Sequence, residues 1–138
     1  SQSYAPVSPN WGVNNRSVAL RIPAGSRNAR RIEHRPSGVD ANPYLVATTV
    51  LAGIRHGLAN QLDPGPETTG NGYASSETKS NLPTDWRSAI EAAKASVFLK
   101  KALGADMHRT FTAIKEAEYF RVARTVSDVD YQLYLHEV

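Results

Sequence analysis

Apolar and polar positions alternate over residues 16–22 (RSVALRI), and this pattern predicts the first of two short β-strands. One face of that strand would carry its apolar residues, Val18, Leu20 and Ile22. A turn rich in Gly, Ser and Asn follows at residues 24–29, and residues 30–35 (RRIEHR) are predicted to form the second strand. A connection this short favours antiparallel pairing. We therefore expect a β-hairpin over residues 15–36, preceded by a lead-in loop at residues 1–14.

Residues 37–138 are expected to be mainly helical. Asn42-Pro43 predicts a helix start, because Asn caps helix N-termini and Pro is favoured at the first helical position. Residues 43–60 are apolar nearly all round, which is typical of a buried helix. Beyond a loop-like stretch at residues 62–83, three helices and a last amphipathic segment are expected: from Thr84 or Asp85 to about Val97, around Phe98–Leu103 with Gly104 at its end, from an Asp106 cap to about Arg124, and roughly 127–135.

The predicted fold class is therefore α+β, a short antiparallel β-hairpin followed by four to five helices. The helical periodicity also predicts which side chains point inward. These are Trp86, Ile90, Ala93 and Val97 on one helix, and Phe111, Ile114 and Ala117 on the longer one.

Composition narrows the class of protein. The 138 residues are enough for one domain. Cysteine is absent, which excludes disulfides, thiolate metal sites and a Cys nucleophile. No apolar run reaches the ~18 residues that a membrane span needs, and no apolar leader opens the chain, so we expect a soluble, cytoplasmic protein. The chain lacks an initial Met and its polar coil runs directly into an Arg-rich strand, so we also expect a fragment of a longer protein.

The formal net charge of +3 hides an asymmetry along the chain. Residues 1–60 contain seven Arg, no Lys and only two acids, Glu33 and Asp40. Arg without Lys suggests recognition of phosphate or carboxylate, because the planar guanidinium binds two oxygens at once and an ammonium group does not. A solvated basic surface is the alternative interpretation.

The second predicted strand carries the candidate chemistry. Alternation places Arg31, Glu33 and Arg35 on one of its faces, and the two long Arg side chains can converge on a single polyanion. Arg21 lies on the polar face of the first strand. Two interpretations remain open: an exposed salt-bridge ladder, or a Glu33 that binds a divalent cation while the arginines hold phosphate oxygens. In either case the arginines should lower the pKa of Glu33.

An ordered set of residues now carries a resemblance to a known family. The set consists of Asn15-Arg16-Ser17, Arg21-Ile22-Pro23, Ala29-Arg30-Arg31-Ile32-Glu33-His34-Arg35 and Ala41-Asn42-Pro43-Tyr44-Leu45. It resembles the C-terminal part of the glutamine synthetase catalytic domain. The resemblance extends over residues 1–138 and is densest over residues 15–58.

The resemblance implies a role for each candidate residue. Arg16 would contact the glutamate substrate and steady its γ-glutamyl phosphate, and Arg35 would bind the substrate carboxylate and the transferred phosphoryl group. Arg21 and Arg31 would contact the nucleotide phosphates, and Glu33 would ligate the metal beside ATP. The implied reaction joins glutamate to an amine at the expense of ATP, with Mg²⁺ or Mn²⁺ as cofactor. The strand pattern supports the same assignments except for Arg16, for which the resemblance stands alone.

The resemblance also implies what the chain lacks. The family's other metal carboxylates, its nucleotide-binding His and its ammonium-site acid lie upstream of this segment, so the chain alone should be inactive. The PSGVDANPY segment is closer to the γ-glutamylpolyamine or γ-glutamylputrescine synthetase branch than to glutamine synthetase proper. The resemblance leaves the amine open among ammonia, putrescine and a longer polyamine, because much of the amine pocket lies outside this chain. The full-length parent is expected to be a homo-oligomeric ring, a dodecamer.

Two other classes of function were weighed. The Arg cluster and the sequence pI of about 9.3 are compatible with a nucleic-acid-binding module. Against it, Glu33 lies at the centre of the basic face and no aromatic residue is interleaved on the hairpin, so we expect no nucleic-acid partner. The third class is an oligomer-assembly segment without chemistry of its own.

Overall fold

The structure, a computed structural model, describes residues 5–74 and 82–135. Parts of the predicted lead-in loop and of the long loop at residues 62–83 lie outside the described residues. The chain divides into two compact units, Ser1–Thr84 and Asp85–Val138. The first contains the strands β1 (Trp11–Val13), β2 (Leu20–Ile22) and β3 (Glu33–His34), a 3-10 turn at Arg27–Ala29, and the helix α1 (Pro43–Ala59). The second contains α2 (Trp86–Ala95), α3 (Val97–Leu103), α4 (Ala105–Ala123) and α5 (Asp128–Tyr134).

The predicted antiparallel hairpin is confirmed, with shorter strands than the sequence indicated. β2 pairs with β3 so that Arg21 lies opposite Glu33. Residues 16–19 form turns and bends instead of the start of a strand. Side-chain amides compete with the strand ladder here, because Asn10 Oδ1 accepts from Ala19 N at 3.0 Å and Asn15 Oδ1 accepts from Ser17 N at 2.9 Å.

β1 lies inside the segment expected to be a lead-in loop. It pairs in parallel with β2, with Trp11 opposite Leu20. Three residues are too few to show alternation, so the sequence carries no clear signal for this strand. Gly12 permits a close approach to the later loop, since a Cβ at this position would lie 2.7 Å from the carbonyl oxygen of Thr68.

The helix α1 begins as predicted. Asn42 Oδ1 accepts from Tyr44 N at 3.0 Å and from Leu45 N at 3.2 Å, and Pro43 occupies the first helical position. The prediction that this helix is buried is wrong for the described chain: none of its residues is buried, and Leu58 is 76% exposed. A helix that is apolar all round needs cover on several sides, and the described chain supplies no such layer.

In the second unit, α2 and α3 pack against α4. Gly104 ends α3 as predicted, with φ of 81°. The predicted cap at Asp106 is wrong, because the turn at Gly104 lets α4 begin at Ala105, and Asp106 lies in its first turn. There the Asp106 carboxylate accepts from Arg109 at 3.0 Å.

The inward face of this unit differs from the predicted one. Ile90 is buried as expected, but Val97 is 81% exposed, because α2 ends at Ala95 and the helical period restarts in α3. On α4 the buried residues are His108 and Thr112, whereas Ile114 is 50% exposed. His108 Nε2 lies 2.8 Å from the carbonyl oxygen of Ala93, so a polar contact between helices sets which side of α4 faces α2.

Within residues 5–74 and 82–135, none of the helices has the length and apolar character required to cross a membrane.

Candidate active site

Arg21, Glu33 and Arg31 form a charged cluster on the sheet. The pairing of β2 with β3 sets Arg21 and Glu33 directly opposite each other, and opposite residues project from the same face. Arg21 Nη1 donates to Glu33 Oε2 at 2.8 Å, and Arg31 Nη2 donates to Glu33 Oε1 at 3.1 Å. Each carboxylate oxygen therefore accepts from a different arginine, as an acid placed between two cations is expected to do.

The arginines keep Glu33 ionised. The hydrogen bond from Arg21 is the main cause that lowers the pKa of Glu33 below its ordinary value of 4.5, and Arg31 acts in the same direction. This direction agrees with the expectation from the sequence. The Glu33 side chain is 32% exposed, so a cation or a phosphate group can still reach it. The structure therefore contains the salt bridges of the first interpretation. The exposure of Glu33 is also compatible with the second interpretation, in which this carboxylate binds a divalent cation.

The described residues fit a divalent metal only in part. No group of three or more His, Cys, Asp or Glu side chains in residues 5–74 and 82–135 is arranged to hold a metal ion. Glu33 is a hard oxygen ligand of the type that Mg²⁺ and Mn²⁺ take, but a single carboxylate does not make a site. Further ligands would have to come from outside this chain.

Arg35 is joined to the backbone of the turn that follows Arg16. Its Nη1 group donates to the carbonyl oxygen of Arg16 and, at 3.2 Å, to that of Val18. Arg31 and Arg35 thus hold different partners in this structure, although the alternating pattern allowed them to converge. The physical reason is the turn at residues 16–19, which offers its carbonyl groups to Arg35 where a longer strand would have used them in the ladder.

Arg16 and Arg21 both line an open cleft of about 640 Å³. One wall of the cleft is formed by Val13, Asn14, Asn15 and Arg16, the other by Glu67, Thr68, Thr69 and Gly70. Arg21 belongs both to this cleft and to the charged cluster around Glu33. Its Nε is buried and finds no hydrogen-bond partner among the described residues. Arg21 therefore connects the two halves of the candidate site.

The segment Glu67–Gly70 was not predicted to belong to the site. Asn15 Nδ2 donates to the carbonyl oxygens of Thr68 at 3.0 Å and Gly70 at 2.9 Å, and Glu67 Oε1 accepts from Val13 N at 2.8 Å. These partners are 53 to 55 residues apart in the chain. No local pattern could have indicated them, since the segment has ordinary loop composition.

Comparison with known proteins identifies the family of this chain and several of its relatives. The family model described as "Glutamine synthetase, catalytic domain" matches residues 1–134. The γ-glutamylputrescine synthetase PuuA of Escherichia coli K12 is 38% identical over 129 residues, covering 92% of this chain and 26% of the relative. A glutamine synthetase of Methanosarcina mazei is 34% identical over 137 residues, covering 95% of this chain and 31% of the relative.

A solved structure of GmaS in complex with ADP superposes with a TM-score of 0.80 at 30% identity, covering 96% of this chain and 30% of that one. A second GmaS structure, without ligand, gives the same TM-score. The chain belongs to the glutamine synthetase catalytic-domain family. It spans 26–31% of the length of the two relatives named above.

Proposed function

We propose that this chain is the C-terminal segment of the catalytic domain of an ATP-dependent glutamate–amine ligase, which works through a γ-glutamyl phosphate in the cytoplasm. The observation that carries the proposal is the Arg21–Glu33–Arg31 cluster, which continues through Arg21 into the cleft that Arg16 lines. Membership of the family supports it, as do the printed names of the relatives.

The charges of the cluster suit a phosphate ligand. Two guanidinium groups face one carboxylate, so the cluster keeps a net charge of about +1 while Glu33 is ionised. In the proposed enzyme Arg21 and Arg31 bind the nucleotide phosphates, and the Glu33 carboxylate holds Mg²⁺ or Mn²⁺. The bound cation supplies neutralisation of phosphate charge. Negative charge accumulates on the phosphoryl group during its transfer. Positive groups that already surround this position need not rearrange when the reaction occurs.

Arg16 and Arg35 serve the glutamate side of the proposed site. Arg35 anchors the turn at residues 16–19 through two backbone carbonyls and so limits where the Arg16 side chain can reach. Arg16 lines the cleft and binds the glutamate substrate and its γ-glutamyl phosphate. Arg35 contributes to binding of the substrate carboxylate and the transferred phosphoryl group. A guanidinium pair is suited to this task because each group binds two oxygens with fixed geometry.

The proposed site is completed by the remainder of the parent protein. This view is supported by the described residues, in which no group of three or more His, Cys, Asp or Glu side chains could hold a metal ion, because Mg²⁺ and Mn²⁺ need several oxygen ligands. We therefore propose that the isolated chain is inactive and that the parent works as a homo-oligomeric ring. The acceptor amine is ammonia, putrescine or another amine. The similarity to PuuA, at 38% identity, favours putrescine or another polyamine as the acceptor. The similarity to a glutamine synthetase, at 34% identity, is almost as high, so ammonia stays a candidate.

Release of phosphate by the full-length parent tests the proposal. The parent is incubated with glutamate, ATP and Mg²⁺, and ammonia, putrescine or spermidine is added in separate reactions. We expect phosphate release that requires glutamate and one of the amines, and none from residues 1–138 alone. Activity with ammonia only would remove the polyamine interpretation. Absence of amine-dependent release with every acceptor would contradict the ligase.

A further inference from the structure

Asn14, at the end of β1, has an unusual backbone conformation. Its φ is 54°, and within residues 5–74 and 82–135 the only other non-glycine residue with positive φ is Gln61, at 49°. Asn is among the few side chains that tolerate this left-handed region. The backbone N–H of Asn14 donates to the carbonyl oxygen of Ile22 at 2.8 Å, which extends the pairing of β1 with β2 by one residue. The chain then turns, and the side chain is directed toward Arg21.

The Asn14 side chain holds one arm of Arg21. Asn14 Oδ1 accepts from Arg21 Nη2 at 2.8 Å, while Arg21 Nη1 donates to Glu33 Oε2 at the same distance. The guanidinium is thus held at both tips of its fork, and its side chain is only 16% exposed. Asn14 and Arg21 line the same cleft. The rotational freedom of Arg21 is therefore restricted before any ligand arrives.

The two partners of Arg21 differ in charge. Glu33 is an anion and offsets the charge of the guanidinium, whereas the Asn14 amide is neutral and fixes its orientation without offsetting it. We propose that Asn14 is a positioning residue for Arg21, which keeps the guanidinium oriented toward the phosphates of a nucleotide without adding a second anion beside it. This inference rests on the proposed function, in which Arg21 contacts those phosphates. Asn14 acts through Arg21 and need not touch the ligand.

Replacement of Asn14 in the full-length parent tests the inference. Asn14→Gly keeps the left-handed backbone accessible and removes only the amide arm. We expect the KM for ATP to rise about tenfold, because a hydrogen bond to a charged group is lost, with a smaller change in kcat. Gln61→Gly is the matched control, since it makes the same substitution at the other left-handed position, outside the cleft lining. It should leave both constants as in the wild type.

A double-mutant cycle separates positioning from general stability. If Asn14 acts through Arg21, Asn14→Gly should change the KM for ATP less than about twofold once Arg21→Gln is present. Equal effects of Asn14→Gly in both backgrounds would overturn the inference. So would an unchanged KM in Asn14→Gly alongside a raised KM in Arg21→Gln, and that result would leave the proposed function intact. An unchanged KM in Arg21→Gln would remove the nucleotide role of Arg21 and the inference with it.

Asn14→Asp keeps the experiment informative if the glycine variant does not fold. Aspartate also tolerates the left-handed region and offers Arg21 an acceptor, but it adds a second negative charge beside the guanidinium. We expect wild-type thermal stability and a KM for ATP raised about tenfold, with the difference shrinking as salt is added. A wild-type KM in Asn14→Asp would contradict the claim that the partner must be neutral.

Discussion

Glu33 is the residue on which the electrostatics of the candidate site depend. Both of its oxygens accept from arginine, and its pKa is lowered chiefly by the hydrogen bond from Arg21. A group whose pKa is lower in the folded state favours folding when ionised. Its contribution is fully present above the ordinary pKa of 4.5 and is lost as the pH falls through the lowered value.

The pH dependence of unfolding should therefore change when this charge is removed. In the full-length parent we expect the Tm of the wild type to fall more steeply than that of Glu33→Gln between about pH 5 and pH 3, where the Glu33 carboxylate takes up its proton. The difference in Tm between the two proteins should be largest near neutral pH and should narrow in acid. Thermal unfolding followed from pH 7 to pH 3 measures this. Parallel profiles for the two proteins would mean that the Arg21–Glu33 contact does not form.

At the residue scale, the sequence predicted that arginines flank Glu33, but it placed Arg35 beside Arg31 where the structure has Arg21, and it did not predict the residues that support the cluster. Arg21, Arg31 and Glu33 follow from alternation over a few neighbouring residues, and local alternation is readable from the sequence. Asn14 and Glu67 contribute through backbone conformation and through a contact across 54 residues, respectively. No sequence pattern around Asn14 predicts its left-handed backbone conformation. The contact of Glu67 depends on how the whole loop returns to the sheet, which local sequence does not determine.

At the scale of elements, the ends of helices were better predicted than the lengths of strands. Asn42-Pro43 and Gly104 act through their own backbone geometry, so their effect does not depend on distant residues. The strand predicted to begin at residue 16 is β2, which begins at Leu20. Here side-chain amides from Asn10 and Asn15 take the hydrogen bonds that a longer ladder would have used.

The cap of α1 provides a test at this scale. Asn42→Ala removes both hydrogen bonds from Asn42 Oδ1 to the first turn, which should cost about 1 kcal/mol of local helix stability. We expect amide hydrogen exchange in the first turn of α1 to become about fivefold faster in the parent. Asn42→Ser retains an acceptor at the same position and should exchange nearly as the wild type does. Wild-type exchange in Asn42→Ala would show that the cap is not what holds this helix end.

At the scale of the whole molecule, the residues of the candidate site all lie in the first compact unit. That unit also exposes an apolar helix, since Tyr44 and Leu58 of α1 are 81% and 76% exposed. The prediction of a buried helix assumed that the chain covers its own apolar surface. For the metal, the resemblance already implied that further ligands lie outside this segment, and within the described residues no group of three or more His, Cys, Asp or Glu side chains is arranged to hold an ion. Local patterns identify groups that need partners, but they do not say whether the same chain supplies them.

The dependence of parent turnover on Mg²⁺ tests the central claim most directly. The rate is measured with saturating glutamate, ATP and amine while Mg²⁺ is varied, for the wild type, Glu33→Gln and Glu91→Gln. Glu91 is the matched control, because it also pairs with an arginine, Arg87 at 3.4 Å, in the second compact unit. The account predicts that Glu33→Gln raises the half-saturating Mg²⁺ concentration by about tenfold or more and that Glu91→Gln leaves it unchanged. A Glu33→Gln enzyme with the Mg²⁺ dependence of the wild type would contradict the account and leave Glu33 as a salt-bridge partner alone.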